Sequence, residues 1–473
     1  MHKFDTKVQH LKYKIFRELA REAFAGNLAA SIPDIPKRIM PGPKPTMRCC
    51  IFKERAIISE RIKIALGGDP SNPNIIEVLD IACDECPVGG HVITQMCRGC
   101  IAHYCADACP RDAIVTDENK HAHIDKDKCI ECGRCAHVCP YNAVQNVKRP
   151  CQIACKIGAI DMDENLSARI NNDACIACGA CVYQCPFGAI MDKSQLIDVV
   201  HLILDREKTK QHTLYAAVAP SIAGQYAYAA LGQVIAGIHK LGFDQVVEVA
   251  LGADMTAHAE AQELAEKGFL TSSCCPAFVE YIHKAFPDMA EHISHNLSPM
   301  STIAKHIKDK DPTAKIVFIG PCTAKKMEAR KEEVRPYIDA VLTFEELQAL
   351  LDSRDIDIQS LAEETIDQAS FFGRIFARSG GLSEAVAQAV QERGIEDFTF
   401  TPIACDGIEQ CRAALMRASK KALPHNFIEG MACVGGCIGG AGCLVHGPKN
   451  RREVDQYGKK ASAETIEDAL QKL

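Results

Sequence analysis

Three cysteine runs between residues 97 and 185 constrain this chain more than any other feature. Cys129-x2-Cys132-x2-Cys135-x3-Cys139-Pro140 and Cys175-x2-Cys178-x2-Cys181-x3-Cys185-Pro186 share one spacing. Cys97-x2-Cys100-x4-Cys105-x3-Cys109-Pro110 is the same run with a two-residue expansion. Such spacing lets three successive thiolates wrap three corners of one iron–sulfur cubane. The fourth thiolate, redirected by the proline, reaches the partner cluster.

Each run leads into a short apolar piece, Ala113–Ile114–Val115, Ala143–Val144 or Gly188–Ala189–Ile190, as small ferredoxin strands would. The runs are therefore an internal repeat. Cross-pairing them predicts one cluster on Cys97, Cys100, Cys105 and Cys139, and another on Cys129, Cys132, Cys135 and Cys109. Further on, Cys151-x3-Cys155 is only half a run. Cys155 completes a cluster with Cys175, Cys178 and Cys181. Cys151 and Cys185 then need two more ligands, which Cys83-x2-Cys86-Pro87 can offer. Three or four accessory cubanes result. Two other readings of Cys83 and Cys86 stay open: a structural role, or a zinc site with four cysteine ligands.

Twenty-six cysteines in 473 residues would suggest disulfides in a secreted protein. The start, Met1–His2–Lys3–Phe4–Asp5–Thr6–Lys7, has no apolar signal region, so a cytoplasmic metal-binding chain is expected. No apolar run is long enough for a bilayer, so no membrane partner is expected. A net charge of −7 with no long basic tract gives nucleic-acid binding no electrostatic support.

The first 80 residues carry no ligand pattern. Val8–Ala20 and Glu54–Ile64 have apolar residues at helical spacing, and Pro33, Pro36, Pro41, Pro43 and Pro45 predict an extended linker between them. After the last run, Ser194–Leu204 reads as a helix. Buried strands are expected at Leu214–Ala219, Val246–Ala250, Ile316–Ile319 and Phe398–Phe400, alternating with helices such as Glu345–Leu351 and Ser383–Glu392. The chain is thus expected to be an α+β multi-domain protein. A helical region spans 1–80, ferredoxin-like units span 81–148 and 149–192, and an α/β domain spans 193–473.

Three more cysteine loops lie in the α/β part: Thr271–Pro276 with Cys274 and Cys275 adjacent, Gly320–Lys326 around Cys322, and Glu429–Cys437 with Cys433 and Cys437. Adjacent side chains diverge, so one cysteine of the pair serves a cluster and the other stays free. Cys275, Cys322, Cys433 and Cys437 form a four-thiolate set for a cubane. Cys274 is then an unligated thiol beside it.

These loops resemble the three signature segments of the iron-only ([FeFe]) hydrogenases, over roughly residues 175 to 450. The resemblance implies a C-terminal catalytic domain and an H-cluster, in which the cubane shares Cys437 with a di-iron centre carrying carbonyl, cyanide and an azadithiolate bridge. It also implies that Cys274 is the terminal proton relay, that Lys325 donates to a cyanide, and that Pro220, Ser221 and Met431 line the pocket. The charge of cyanide and the near-neutral reference pKa of a thiol make the lysine and relay roles physically reasonable. Glu260 and Glu263, one helical turn apart, match the family's proton-path glutamates, Ser294 its relay serine, and Glu328 a further glutamate. Lys267 stands where arginine is frequent.

Some positions depart from that pattern and resemble the group B branch. Gly320 precedes Pro321–Cys322 where methionine is usual, Phe278 replaces a tryptophan and Met300 a glutamine. The third loop runs on as Gly439–Gly440–Ala441–Gly442–Cys443. The implied function is reversible interconversion of dihydrogen with protons and electrons. The implied partners are a soluble carrier, ferredoxin or flavodoxin, and the hydrogenase maturation proteins. A non-catalytic hydrogenase-like iron–sulfur protein and a hydrogen sensor are the alternatives. Cys49, Cys50, Cys405, Cys411 and Cys443 are expected to be structural thiols.

Overall fold

The computed structural model describes residues 4–87, 89–396 and 398–472. The helix Lys7–Phe24 starts at a capping box in which Thr6 and Gln9 satisfy each other's backbone. Its stripe of Ile15, Phe16 and Leu19 is fully buried, each side chain worth about 1.5–3 kcal/mol. Polar contacts aim the helix at the C-terminal half. Lys12 Nζ meets Glu345 at 2.6 Å, Tyr13 donates to Asp352 at 2.6 Å, and Gln9 donates to the Cys443 carbonyl at 2.9 Å. Residues expected to form a separate N-terminal region are thus part of the main body. The proline stretch is not wholly extended either. Pro36 sits in the first turn of a short helix, Ile35–Ile39, where its missing N–H costs nothing.

Strand β1 (Ile76–Val78) is followed by Cys83 and Cys86, and β2 (Gly90–Ile93) by Cys97 and Cys100. The next strands are β3 (Ile114–Thr116), β4 (Ala122–Ile124), β5 (Val144–Val147), β6 (Ile160–Met162), β7 (Ala168–Ile170) and β8 (Ile190–Asp192). All pairings among them are antiparallel: β2 with β5, β3 with β4, β6 with β7, and β1 with β8. The β1–β8 pair brackets everything between.

One ferredoxin-like unit is therefore inserted inside another. The inner insertion, about residues 89–148, is closed by β2 and β5, with Gly90 opposite Val147. The host unit consists of about residues 75–87 and 149–193. Sequence boundaries at 81 and 149 miss this, because a three-residue strand leaves no periodic signal and its partner lies over a hundred residues away.

The C-terminal half holds two parallel sheets. Strands β9 (Leu214–Val218), β10 (Gln245–Glu248), β12 (Lys315–Gly320) and β13 (Ala340–Thr343) form one, ordered β10-β9-β12-β13. Strands β11 (Leu270–Thr271), β14 (Pro402–Asp406) and β15 (Phe427–Met431) form the other, ordered β11-β15-β14. Two strand expectations are corrected. Val249 and Ala250 open the long helix Val249–Lys267 instead of ending β10. The stretch 398–400 is irregular, and the third strand of the second sheet comes later, at Pro402–Asp406. Aromatic content misled there, since Phe398 and Phe400 pack from a loop onto the second core.

Candidate metal centre

Parallel strands deliver their following loops to one edge, and ligand sites gather at such carboxyl ends. Four loops do so here. Strand β9 runs into Pro220–Ser221, β11 into Cys274–Cys275, β12 into Cys322 and β15 into Met431–Cys433. Cys275 is also the N-cap of the helix Pro276–Ala285, where the positive end of the dipole favours an anionic sulfur.

The four cysteines of these loops face one another. Burial pushes the Cys433 thiol well up, and Cys322, Cys275 and Cys437 add to it. Burial likewise raises Cys437, to about 12, with Cys275 contributing and Lys325 opposing. Cys178 of the host ferredoxin unit acts on Cys433, and Cys275 on Cys178. A cavity of about 1070 Å³ joins the two, lined by Cys155, Cys175, Cys178 and Cys181 on one side and Cys433 on the other.

Lys325 is buried beside this set. Its ammonium donates to Ser298 Oγ at 2.7 Å and the Cys274 carbonyl at 3.3 Å, and pairs with Glu328 at 2.6 Å. Burial lowers its proton affinity, but Glu328 and the nearby thiols outweigh that and hold it charged. Ser298, missed in the sequence, reads there as an ordinary cap before Pro299; its second job appears only when Lys325 folds onto it. Met431 and Met300 are both buried, in two different hydrophobic cores. The Phe278 ring lies over Gly430, whose absent Cβ would sit 2.2 Å from it. The ring of Phe318 fills the space beside Gly320, 2.5 Å from where a Cβ would be. A methionine at 320 would need that ring to move.

On the other side of Cys274 runs a line of polar groups. Burial pushes its thiol well up, with Glu260 the next contributor. Glu260 is fully buried on the helix Val249–Lys267, and its Oε1 accepts from the Ser273 N–H and hydroxyl, both at 3.4 Å. Burial raises it to about 7, against the lowering by Ser273 and Ser294. Ser294 lies beside Thr271 through a backbone bond of 2.9 Å and donates to Glu263 Oε2 at 2.9 Å. Glu263 is held below its ordinary range despite partial burial, by Lys267 at 2.7 Å and by the His295 N–H. Ser273 and Asn296, which donates to Glu263 at 2.8 Å, are further members that their types alone did not mark.

Among the described residues, the buried polar atoms along these walls without a hydrogen-bond partner include Ser221 Oγ and Glu260 Oε2. A buried hydroxyl or carboxylate left unpaired costs about 1–3 kcal/mol, so both fit a pocket built around a further polar group. Four converging thiols with a buried ammonium beside them suit an anionic iron–sulfur centre with anionic ligands.

In the ferredoxin units the structure brings cysteines of different runs together. Cys109 shares a small pocket with Cys129, Cys132 and Cys135, while Cys139 and Cys100 act on Cys105. Cys155 lines one cavity with Cys175, Cys178 and Cys181. The last cysteine of every run accepts from the N–H four residues on: Cys109 at 3.3 Å, Cys139 at 3.4 Å, Cys155 at 3.1 Å and Cys185 at 3.3 Å. Among the described residues, no three His, Cys, Asp or Glu side chains are grouped as for a single metal ion. Of the unassigned cysteines, Cys405, Cys411 and Cys443 are buried, whereas Cys49 is exposed and Cys50 half-buried. No described helix is long and apolar enough to cross a membrane.

Comparison with known proteins agrees with this layout. Residues 212–441 match the family model "Iron only hydrogenase large subunit, C-terminal domain", and residues 96–143 and 121–186 match 4Fe-4S dicluster domains. Iron hydrogenase 1 of Clostridium pasteurianum is 27% identical over 410 residues, covering 75% of this chain and 70% of that one. The cytosolic Fe-S cluster assembly factor NAR1 of Kluyveromyces lactis is 37% identical over 98 residues, 21% of each chain. A solved [FeFe]-hydrogenase of Chlamydomonas reinhardtii overlays 57% of this chain and 90% of its own with a TM-score of 0.47 at 21% identity. The chain thus carries a C-terminal iron-only hydrogenase domain together with 4Fe-4S ferredoxin domains.

Proposed function

We propose that this protein interconverts dihydrogen with two protons and two electrons. The observation that carries the reading is the line Cys274, Glu260, Ser294, Glu263, which leads from the cysteine pocket towards solvent. Cys275, Cys322, Cys433 and Cys437 would hold the cubane, and Cys437 would also serve a di-iron centre. When bound, that centre supplies the Lewis acid that polarises dihydrogen.

The residues around it manage charge and protons. The Lys325 ammonium donates to an anionic ligand, and Glu328 keeps it charged. Ser221 offers a free hydroxyl, while Met431, Met300 and Phe278 exclude water. The Cys274 thiol passes a proton to and from Glu260. From Glu260 the proton moves through Ser294 to Glu263, which Lys267 and His295 connect to the surface. Proton affinity falls outward along this line, from the raised thiol through Glu260 near 7 to the lowered Glu263. A carboxyl near neutrality suits two-way transfer at physiological pH.

Cys155, Cys175, Cys178 and Cys181 share the cavity with Cys433, and a cluster that they hold would exchange electrons with the centre. The cysteines of the inserted unit would hold clusters that pass electrons to a one-electron carrier of the ferredoxin or flavodoxin type. Assembly of the di-iron centre calls for maturation proteins.

The similarity to a cluster-assembly factor favours a second reading, an iron–sulfur protein without turnover. That reading gives no task to Cys274, Lys325, Met431 or the carboxylate line. Infrared spectroscopy of anaerobically matured protein decides between them. Carbonyl and cyanide bands are expected, and their absence after full maturation rejects the catalytic reading.

A further inference from the structure

The nested arrangement explains the half-run Cys151-x3-Cys155 and gives its missing half. In the inserted unit, β2 leads to Cys97-x2-Cys100, four residues follow, and Cys105 and Cys109 complete the run on the helix Tyr104–Asp107 and just beyond. In the host unit, β1 leads to Cys83-x2-Cys86, and Cys151 and Cys155 lie on and just after the helix Pro150–Ala154. The inserted unit occupies the place of the four-residue loop. Cys83, Cys86, Cys151 and Cys185 thereby stand where Cys97, Cys100, Cys105 and Cys139 stand in the other unit. The four cysteines are neighbours: Cys185, Cys83 and Cys86 all lie close to Cys151, and Cys83 and Cys185 close to Cys86. Cys83, Cys151 and Cys185 are buried in the main core.

The surroundings of the two sites differ in charge. At the position before the short helix, the inserted unit has an exposed histidine, His103, and the host unit a buried arginine, Arg149. Arg149 donates to Cys83 Sγ at 3.6 Å and the Pro87 carbonyl at 3.1 Å. Arg61, equally buried, donates to the carbonyls of Phe187 at 2.7 Å and Gly188 at 3.2 Å, on the chain just after Cys185. Among the described residues neither guanidinium has a carboxylate partner. Arg48 lies over the Phe187 ring and donates to the Ala82 carbonyl at 2.9 Å. It is shared with Asp84 and Glu85, at 3.0 and 3.3 Å. The Ala168 N–H also donates to Cys83 Sγ, at 3.4 Å.

Burying two guanidinium groups without a counter-charge is costly, and a buried cation normally has an anionic partner. A tetrathiolate cubane carries net negative charge and fills that role. Zinc held by four thiolates would also be anionic, but the match to the run of the inserted unit fits a cubane. Nearby cations and hydrogen bonds to ligand sulfur stabilise the reduced cluster, and net charge and such hydrogen bonds set cluster potential.

We propose that Cys83, Cys86, Cys151 and Cys185 hold a fourth accessory cubane, and that Arg149, Arg61 and Arg48 make it the most easily reduced accessory cluster. It accepts one electron from the neighbouring cubane on Cys155, Cys175, Cys178 and Cys181, taking its core from 2+ to 1+ with no proton transferred. Those electrons originate in dihydrogen oxidation or a reduced one-electron carrier. The site is then an electron store close to the catalytic centre. This use rests on the hydrogenase reading; the cluster and its potential do not.

The test uses the full chain reconstituted anaerobically with iron and sulfide only, so that it is independent of turnover. Iron is counted, and electron paramagnetic resonance follows a reductive titration with dithionite. Four accessory cubanes plus the Cys275 cubane are expected, with one accessory signal appearing first. Arg149→Gln should lower the potential of that signal alone, by about a tenfold change in its reduced fraction, 59 mV for one electron. Arg48→Gln, which removes a cation without touching a sulfur, should lower it in the same direction and decides the matter if Arg149→Gln loses the cluster. Cys151→Ala should remove that signal and leave the other clusters in place. Only three accessory cubanes in the unsubstituted chain, or a first-reduced signal untouched by both arginine substitutions, overturns the proposal.

Discussion

The inserted ferredoxin unit and its host repeat the same cysteine spacing, yet they occupy opposite environments. In the inserted unit Cys132 is exposed, and Ile101, Ile130, Met96, Tyr104 and Tyr141 present apolar surface around the cysteines. In the host unit Cys83, Cys151, Cys181 and Cys185 are buried and arginines stand where the inserted unit has solvent. Ligand geometry is a local property of a short run and can be copied unchanged. Potential and access are properties of whatever packs around the run. The inserted unit leaves Cys132 open to solvent, whereas the host unit buries its cysteines next to the cavity shared with Cys433.

The comparison can be broken most drastically by removing the inserted unit. Deleting residues 88–147 joins Cys86 to Cys151 through Pro87, Lys148, Arg149 and Pro150, the same four-residue spacing that separates Cys100 from Cys105. The host unit should still assemble, the chain should lose about eight iron atoms, and turnover with a protein carrier should vanish. Loss of the host clusters as well, by iron analysis and resonance, would show that the units are not nested.

If the interior is where single atoms matter, Cys274→Ala should lower turnover by about a thousandfold with iron content unchanged. Unaltered turnover removes the thiol from the proton line. Glu260→Gln should cost about a hundredfold for the same reason.

The glutamine change also has a signed effect on stability. The Glu260 carboxyl binds its proton more tightly folded than unfolded, about 7 against 4.5. Its stabilising share is complete below pH 4.5 and is lost as pH rises through about 7. At pH 8 the glutamine variant should be the more stable by up to about 3 kcal/mol, and at pH 5 the difference should shrink. Urea unfolding of the chain at the two pH values tests this; a gain independent of pH would assign it to packing.

Gly430→Ala drives a methyl group into the Phe278 ring and should cost about 1–3 kcal/mol. On the inserted unit, Ile101→Ser should leave stability within about 0.5 kcal/mol. It should raise the KM for a ferredoxin-type carrier a few-fold without changing kcat measured with a small-molecule dye. A change in the dye-coupled kcat would show that this residue is not merely at a docking surface.

Much of the site was legible in the residues. Cys275, Cys322, Cys433 and Cys437 stood out because each lies at a loop whose neighbours are small or bent, and the strands leading to them are continuous apolar runs. Glu260 and Glu263 were visible as a pair one turn apart, though their spacing alone equally describes a solvated helix face. Ser273, Ser298 and Asn296 were not legible, because a serine or asparagine in a loop carries no sign of which distant group it will meet. Phe398–Phe400 misled in the other direction, through aromatic content without the strand geometry to use it.

The sequence by itself determined the three cysteine runs, the three cysteine loops of the C-terminal half and the adjacency of Cys274 and Cys275, since these depend on residues a few positions apart. Tertiary structure alone decided that β1 pairs with β8, that one ferredoxin unit lies within the other, and that Arg149 and Arg61 close around Cys83 and Cys185. Those contacts span from 66 residues, for Arg149 and Cys83, to well over a hundred, and strand pairing and burial, not spacing, set which distant side chains share one low-dielectric site.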